Sequence, residues 1–212
     1  MTAELTASTN NGTEIRSAGA ALDLLRIVRI NEEIKRVVSV AFKINIMALN
    51  AIFLAKRAGT AARGFGVLSN ELRGFSSQLR ETMLSLNGLI HGSVGEVSVL
   101  LQDSRYNGVL NSAAVSAPSD LRLRAVLERR NQRTAEYRGR LSTVRRSLRS
   151  SVDDACRLVE LGGVLAKSAK IEAAYGAGFS ASLAQVSGEF DGIVEEIRVS
   201  LDTLRRSNFF KG

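Results

Sequence analysis

A single proline, Pro118, stands in 212 residues, and on either side of it apolar residues recur every three or four positions for tens of residues. Proline is the strongest interruption of a helix, because it lacks the backbone donor and its ring clashes with the preceding turn. A chain so nearly free of it, with this spacing, is confined almost entirely to long paired helices. Aromatic residues at 5% and the absence of Trp agree, since helices meeting along narrow seams need less bulk than a globular core.

Four helical stretches follow from the periodicity. In the first, Ile27, Ile30, Ile34, Val37, Ala41, Ile44, Ala48, Ala51 and Ala55 form a heptad seam. Phe42, Ile46, Leu49 and Phe53 add a second apolar stripe, which predicts a helix buried on more than one side. The second stretch carries Phe65, Leu68, Leu72, Phe75, Leu79, Met83, Leu86, Ile90 and Val97, and residues 58–62 between the two are few enough to force them antiparallel. Asn107-Gly108 and Pro118 mark a loop, after which Ser119 or Asp120 can cap a third helix. Its seam is Leu123, Leu127, Thr134, Tyr137, Leu141, Val144, Leu148, Val152 and Ala155. Gly176-Ala177-Gly178 breaks it, and Phe179, Leu183, Val186, Phe190, Ile193, Ile197, Leu201 and Leu204 continue in a fourth.

The expected organisation is a flexible arm at 1–13, a helical hairpin at 14–104, a linker loop at 105–118, and a second hairpin at 119–207 whose first half is Arg-rich. The fold class is all-α, an elongated antiparallel four-helix bundle of two tandem coiled-coil hairpins with both turns at one end. Arms of roughly 40 residues give a rod about 60 Å long at 1.5 Å per residue. Glycines inside the helices, each costing about 1 kcal/mol against Ala, call for close helix approach or a bend.

The net charge of +8 resides in residues 121–150, where ten Arg face only Glu128 and Glu136. Arg129, Arg130 and Arg133 are the candidate anion-binding residues there. They support an alternative function, a structural coiled coil or a basic helical protein binding nucleic acid or an anionic membrane through 121–150. Against it, the Arg residues surround the helix and only Tyr137 interleaves them. Enzymatic chemistry has no foothold: His91 is the sole histidine, no metal or catalytic cluster can be assembled, and no cofactor motif survives. Gly176-Ala177-Gly178 is half of a dinucleotide fingerprint but follows a helix rather than a strand. The lone Cys156 cannot form an internal disulfide, consistent with a reducing cytoplasm. No run of about 18 apolar residues is free of charge, so no membrane span is expected, and residues 1–13 lack the pattern of a signal peptide.

The stretch Ala41-Phe42-Lys43-Ile44-Asn45-Ile46-Met47-Ala48-Leu49-Asn50-Ala51 is similar to the motif that precedes the tip of the cytoplasmic signalling hairpin in bacterial chemoreceptors, the methyl-accepting chemotaxis proteins. The resemblance continues through Ala55-Lys56-Arg57-Ala58-Gly59, Arg63-Gly64-Phe65-Gly66-Val67 and Glu71-Leu72-Arg73, and covers about residues 27–90. It implies a hairpin tip that packs against neighbouring receptors and docks a histidine kinase and its coupling adaptor. Carried over by position, Phe42, Ile46, Leu49, Asn50, Leu54, Arg57, Arg63, Phe65 and Val67 belong to that tip. Two positions depart: Leu54 stands where the family carries an acid, and Thr60 where it carries a Glu. With Lys56, Arg57, Arg63 and Arg73 against Glu71, the tip is basic, which disfavours partners shaped for an acidic one.

A second echo of the same tip runs through Leu165-Ala166, Ala169, Ile171-Glu172-Ala173-Ala174, Gly178-Phe179 and Val186, with about four residues fewer at the turn. Ile171, Glu172 and Phe179 would form this second tip, and hairpin two would stand in for the second subunit of a receptor dimer. The implied protein is a soluble, cytoplasmic, receptor-like interaction or scaffold protein of a chemosensory system. Its partners are a coupling adaptor, a histidine kinase or chemoreceptors, with self-association as a further possibility, and it has no sensor, membrane anchor or methylation region of its own.

Overall fold

The computed structural model describes residues 2–117 and 119–211, with side chains described from residue 21 to residue 210. It is 96% helical, and the described residues contain no strand. Helix α1 spans Thr2–Ala58, α2 Arg63–Ser116, α3 Leu121–Ala174 and α4 Ser180–Arg205, connected as tandem hairpins. Short 3-10 turns lie at Gly59–Ala62, Ala177–Phe179 and Asn208–Lys211.

The seam of α1 is buried throughout: Ile27, Ile30, Ile34, Val37, Ala41, Ile44, Ala48, Ala51 and Ala55 are all at most 4% exposed. Each fully buried Ile or Val side chain contributes about 1.5–3 kcal/mol relative to exposure, which is what holds so long a helix to its neighbours. Serines on the seams are satisfied by backbone carbonyls. Ser69 donates to the Phe65 carbonyl at 2.8 Å, and Ser76 crosses to the Ala41 carbonyl at 2.6 Å.

Two segments differ from the expected organisation. Helix α1 includes residues 2–13, which were assigned to an arm and whose side chains lie outside the described residues. Helix α2 continues to Ser116, through most of the expected linker 105–118; Pro118 itself lies outside the described residues. The Asn107-Gly108 signal for a turn is overridden by tertiary contacts. Asn107 accepts a hydrogen bond from Arg130 Nε at 3.2 Å, and Arg130 also pairs with Asp103 and lies over the Tyr106 ring on the same helix. Helix α3 begins at Leu121, and Asp120 caps it by accepting from the Arg122 and Leu123 amides at 2.9 and 3.3 Å.

The chain divides into two compact units. One consists of Met1–Arg29, Leu89–Leu148 and Asn208–Gly212; it contains most of the arginines and is called here the Arg-rich unit. The other, Ile30–Gly88 with Arg149–Ser207, is the alanine-seam unit. In the latter, Ala41, Ala48, Ala51 and Ala55 of α1 and Ala166, Ala169 and Ala173 of α3 are all buried. Gly162 shows why an internal glycine is needed: a Cβ there would come within 2.6–2.9 Å of the Phe75 ring. The Phe75 ring of α2 packs directly on the α3 backbone at that point, and close approach, not a bend, accounts for this glycine.

Candidate interaction surface at the paired turns

The alanine-seam unit brings the two turns to one end, because Gly64 at the start of α2 lies against the Glu172 carboxylate near the end of α3. At the first turn Gly59 adopts φ +70, a left-handed conformation open to glycine at little cost, which ends α1 directly after Ala58. The second turn uses Ala177 at φ 48 instead, and Gly176 beside it packs against the Leu183 side chain, which a Cβ would displace. The two turns are not copies. The Gly-Phe pair lies inside α2 in the first hairpin, at Gly64-Phe65, but in the turn before α4 in the second, at Gly178-Phe179.

On α1, at 100° per residue, Phe42, Ile46, Asn50, Phe53 and Arg57 fall on the side opposite the buried seam. Phe42 is 53% exposed, Ile46 43% and Phe53 63%, while Asn50 and Arg57 are exposed and Leu49 and Leu54 half-buried. The second apolar stripe is therefore not a second buried side; it faces outward. This also bears on the membrane question. By length and composition alone, one 18-residue window of the described helices, of mean hydropathy 1.9, is apolar enough to cross a membrane. The run 37–54 has that character with Lys43 as its only charge, and a criterion demanding no charge passes over it.

Val67 on α2 is 57% exposed, and with Ile171 and Glu172 of α3 it lines a shallow groove between the two hairpins. The structure thus joins one residue of the first tip to two of the second. Phe179 is half-buried in its turn, and Arg63 is exposed at the first residue of α2. Phe65, assigned to the contact surface, is fully buried and belongs to the core, since the α2 seam runs Ala62, Phe65, Ser69 and Leu72 through it. Among the described residues, no ion pair involves Lys56, Arg57 or Arg63, whereas Arg73 donates to Asn45 Oδ1 at 3.3 Å. Asn50 is exposed, and among the described residues no side-chain hydrogen bond involves it.

Of the ten arginines of 121–150, Arg130, Arg133, Arg140 and Arg145 make ion-pair or ring contacts inside the Arg-rich unit. Asp103, only 4% exposed, pairs with Arg130 at 2.9 Å and Arg133 at 3.8 Å. Arg130 also lies 5.1 Å over the Tyr106 ring, and Arg133 and Arg140 flank Tyr137. Of the three anion-binding candidates, two already hold an internal carboxylate, and Arg129 is exposed. The sequence reading missed Phe209 and Phe210, both buried, with Arg145 stacked 4.8 Å over Phe209. Two adjacent Phe, in a chain with eight in all, were the signal available.

No protein-family model matches the chain, and no solved structure matches it. Curated relatives do. The chain is 37% identical over 79 residues to the methyl-accepting chemotaxis protein CtpM of Pseudomonas aeruginosa, which covers 36% of this chain and 14% of that one. It is 39% identical over 69 residues to methyl-accepting chemotaxis protein IV of Escherichia coli, 32% of this chain and 13% of that one. With PctB of Pseudomonas aeruginosa the match is 30% over 108 residues, 49% of this chain and 17% of the relative. The chain thus spans about a seventh of the length of the curated relatives it matches, and over part of its own length it is related to chemoreceptors.

Proposed function

We propose that the alanine-seam unit is a docking tip in a chemosensory signalling system, a non-enzymatic, cytoplasmic module that engages a coupling adaptor, a histidine kinase or chemoreceptors. The observation that carries this reading is the outward stripe of α1. Phe42, Ile46 and Phe53 stand exposed opposite a fully packed seam, with Asn50 and Arg57 among them. Apolar side chains with polar residues interspersed are the composition of a contact surface rather than of a solvated face. The residue-by-residue resemblance around Ala48-Leu49-Asn50-Ala51, and relatives named as methyl-accepting chemotaxis proteins, supply the partner class.

The second hairpin fits the role of the second subunit of a receptor pair. With Leu54 set against Glu172, the residues Ile30, Ile34, Val37, Ala41, Ala48, Ala51 and Ala55 correspond to Leu148, Val152, Ala155, Val159, Ala166, Ala169 and Ala173, and all are buried. In the same register Ile46 and Phe53 correspond to Val164 and Ile171, which are exposed.

The test is capture of the host's coupling adaptor and histidine kinase by the full chain. Asn50→Ala and Arg57→Ala abolish capture while moving stability by no more than about 0.5 kcal/mol, as for exposed positions. Leu54→Glu, which restores the family's acid, increases it. Capture unchanged in all three variants would place the working surface elsewhere.

A further inference from the structure

Among the described residues, none from 104 to 133 is buried. Arg130 of α3 meets Asp103, Tyr106 and Asn107 of α2, which fixes the register of the two helices. Beyond that point they continue to their ends at Ser116 and Leu121. The hairpin end they form is apolar where it is most exposed. Leu121 is 76% exposed, more than any other large hydrophobic residue described, and Val109 is 71% exposed. Val115 and Val126 are exposed as well. Exposed aliphatic side chains gathered at one end of a helical pair mark a surface that something covers.

The same end is basic. Residues 105–150 contain eleven Arg against Asp120, Glu128 and Glu136. Arg105, Arg122, Arg124 and Arg129, the arginines nearest the end, are exposed and make no ion pair among the described residues. The acids near them are engaged, since Asp120 caps α3 and Glu128 accepts from Gln132 at 3.5 Å. Arg122 and Arg124 stand about 200° apart around α3, with Arg129 back on the side of Arg122. A protein partner or a nucleic-acid backbone would use one side of this end and leave the other solvated. A lipid headgroup layer that admits the end surrounds it and uses both. The aliphatic side chains point the same way, because a phosphodiester backbone offers them no counterpart. Tyr106, the only aromatic residue from 104 to 133, has Arg130 over its ring and is not a free stacking platform.

We propose that the α2–α3 hairpin end docks on an anionic phospholipid surface. Leu121, Val115, Val109 and Val126 enter the boundary between headgroups and acyl chains. Arg105, Arg122, Arg124 and Arg129 lay their stems along this apolar surface and keep their guanidinium groups among the lipid phosphates. Attachment of this kind is peripheral and reversible, because a few aliphatic side chains supply much less than a membrane-spanning helix does. It rests on other residues in another unit than the adaptor-docking surface, so either function can fail without the other.

Sedimentation of the full chain with vesicles of phosphatidylglycerol and phosphatidylcholine in equal parts, against vesicles of phosphatidylcholine alone, tests the proposal. Binding is expected to the anionic vesicles only, and it weakens as salt rises. Arg122→Gln and Arg124→Gln each reduce affinity about fivefold, and Leu121→Ser reduces it about threefold to tenfold. Arg146→Gln removes an exposed arginine about 36 Å further along α3 and leaves affinity within about twofold. Absence of binding to the anionic vesicles would overturn the proposal, and so would a loss on Arg146→Gln as large as on Arg122→Gln, which marks a general charge effect. Duplex DNA is the opposing probe. Tight DNA binding that the Arg122 and Arg124 variants lose and Leu121→Ser retains, with vesicle binding likewise indifferent to Leu121→Ser, would assign the end to nucleic acid instead.

Discussion

The two units are built on one heptad repeat and differ in what occupies its inward positions. In the alanine-seam unit, small residues let backbones approach, buried serines bond to neighbouring carbonyls, and the apolar residues left over point outward at Phe42, Ile46 and Phe53. In the Arg-rich unit, the inward positions include Thr134 and a buried Asp103, arginines reach across to hold it, and a polar cavity remains. Periodicity decides which way a helix faces. The size and polarity of the residues on that face decide whether the interior closes, as around the alanines, or leaves a polar cavity.

The largest effect that sharpens this contrast lies within the alanine-seam unit. Phe65→Ala, at a fully buried position, costs about 3–5 kcal/mol in urea denaturation. Phe42→Ala, at 53% exposure, stays within about 0.5 kcal/mol and is felt in partner capture instead. Equal losses from the two would erase the distinction between core and surface. In the Arg-rich unit, Asp103→Ala leaves Arg130 and Arg133 without their carboxylate and costs about 2–3 kcal/mol, less than for a fully buried pair because Arg133 is largely exposed. A negligible cost would mean Arg130 and Arg133 are solvated and free, which would revive them as anion-binding residues.

Much of the fold was legible because a seam is a local pattern. All nine α1 positions read from spacing are buried, and four residues, 59–62, separate α1 from α2. The extent of α2 was not legible, because Asn107-Gly108 signals a turn, whereas its contact with Arg130 lies 23 residues away in sequence. The direction of the Phe42 stripe was equally hidden, since apolar spacing shows that residues share a face and not whether anything covers it. Phe65 was drawn to the surface by its motif, although its own helix carries it inward with Ala62, Ser69 and Leu72. Thr134 stands in the seam, as its spacing predicts, and its hydroxyl is buried without a hydrogen-bond partner.

The smallest expected effect concerns Cys156 in the alanine-seam unit. Burial pushes its thiol pKa up, outweighing Arg205, which pulls it down, while Asp202, Asp153 and Glu160 add to the rise. The folded state therefore favours the neutral thiol. Its contribution to stability is full below the thiol's ordinary range and declines as pH rises through it. Iodoacetamide at pH 8 should label Cys156 more slowly in the folded chain than in urea, and equal rates would show the thiol is solvated.

Both units expose large apolar side chains, so a partner has two surfaces to choose between. Hydroxyl-radical footprinting of the chain with purified coupling adaptor or kinase reads the choice directly. Protection of Phe42, Ile46 and Phe53, with Tyr106, Val109 and Leu121 of the Arg-rich unit still reactive, is the predicted result. Protection of Tyr106, Val109 and Leu121 while Phe42 and Phe53 remain reactive would contradict docking through the α1 stripe.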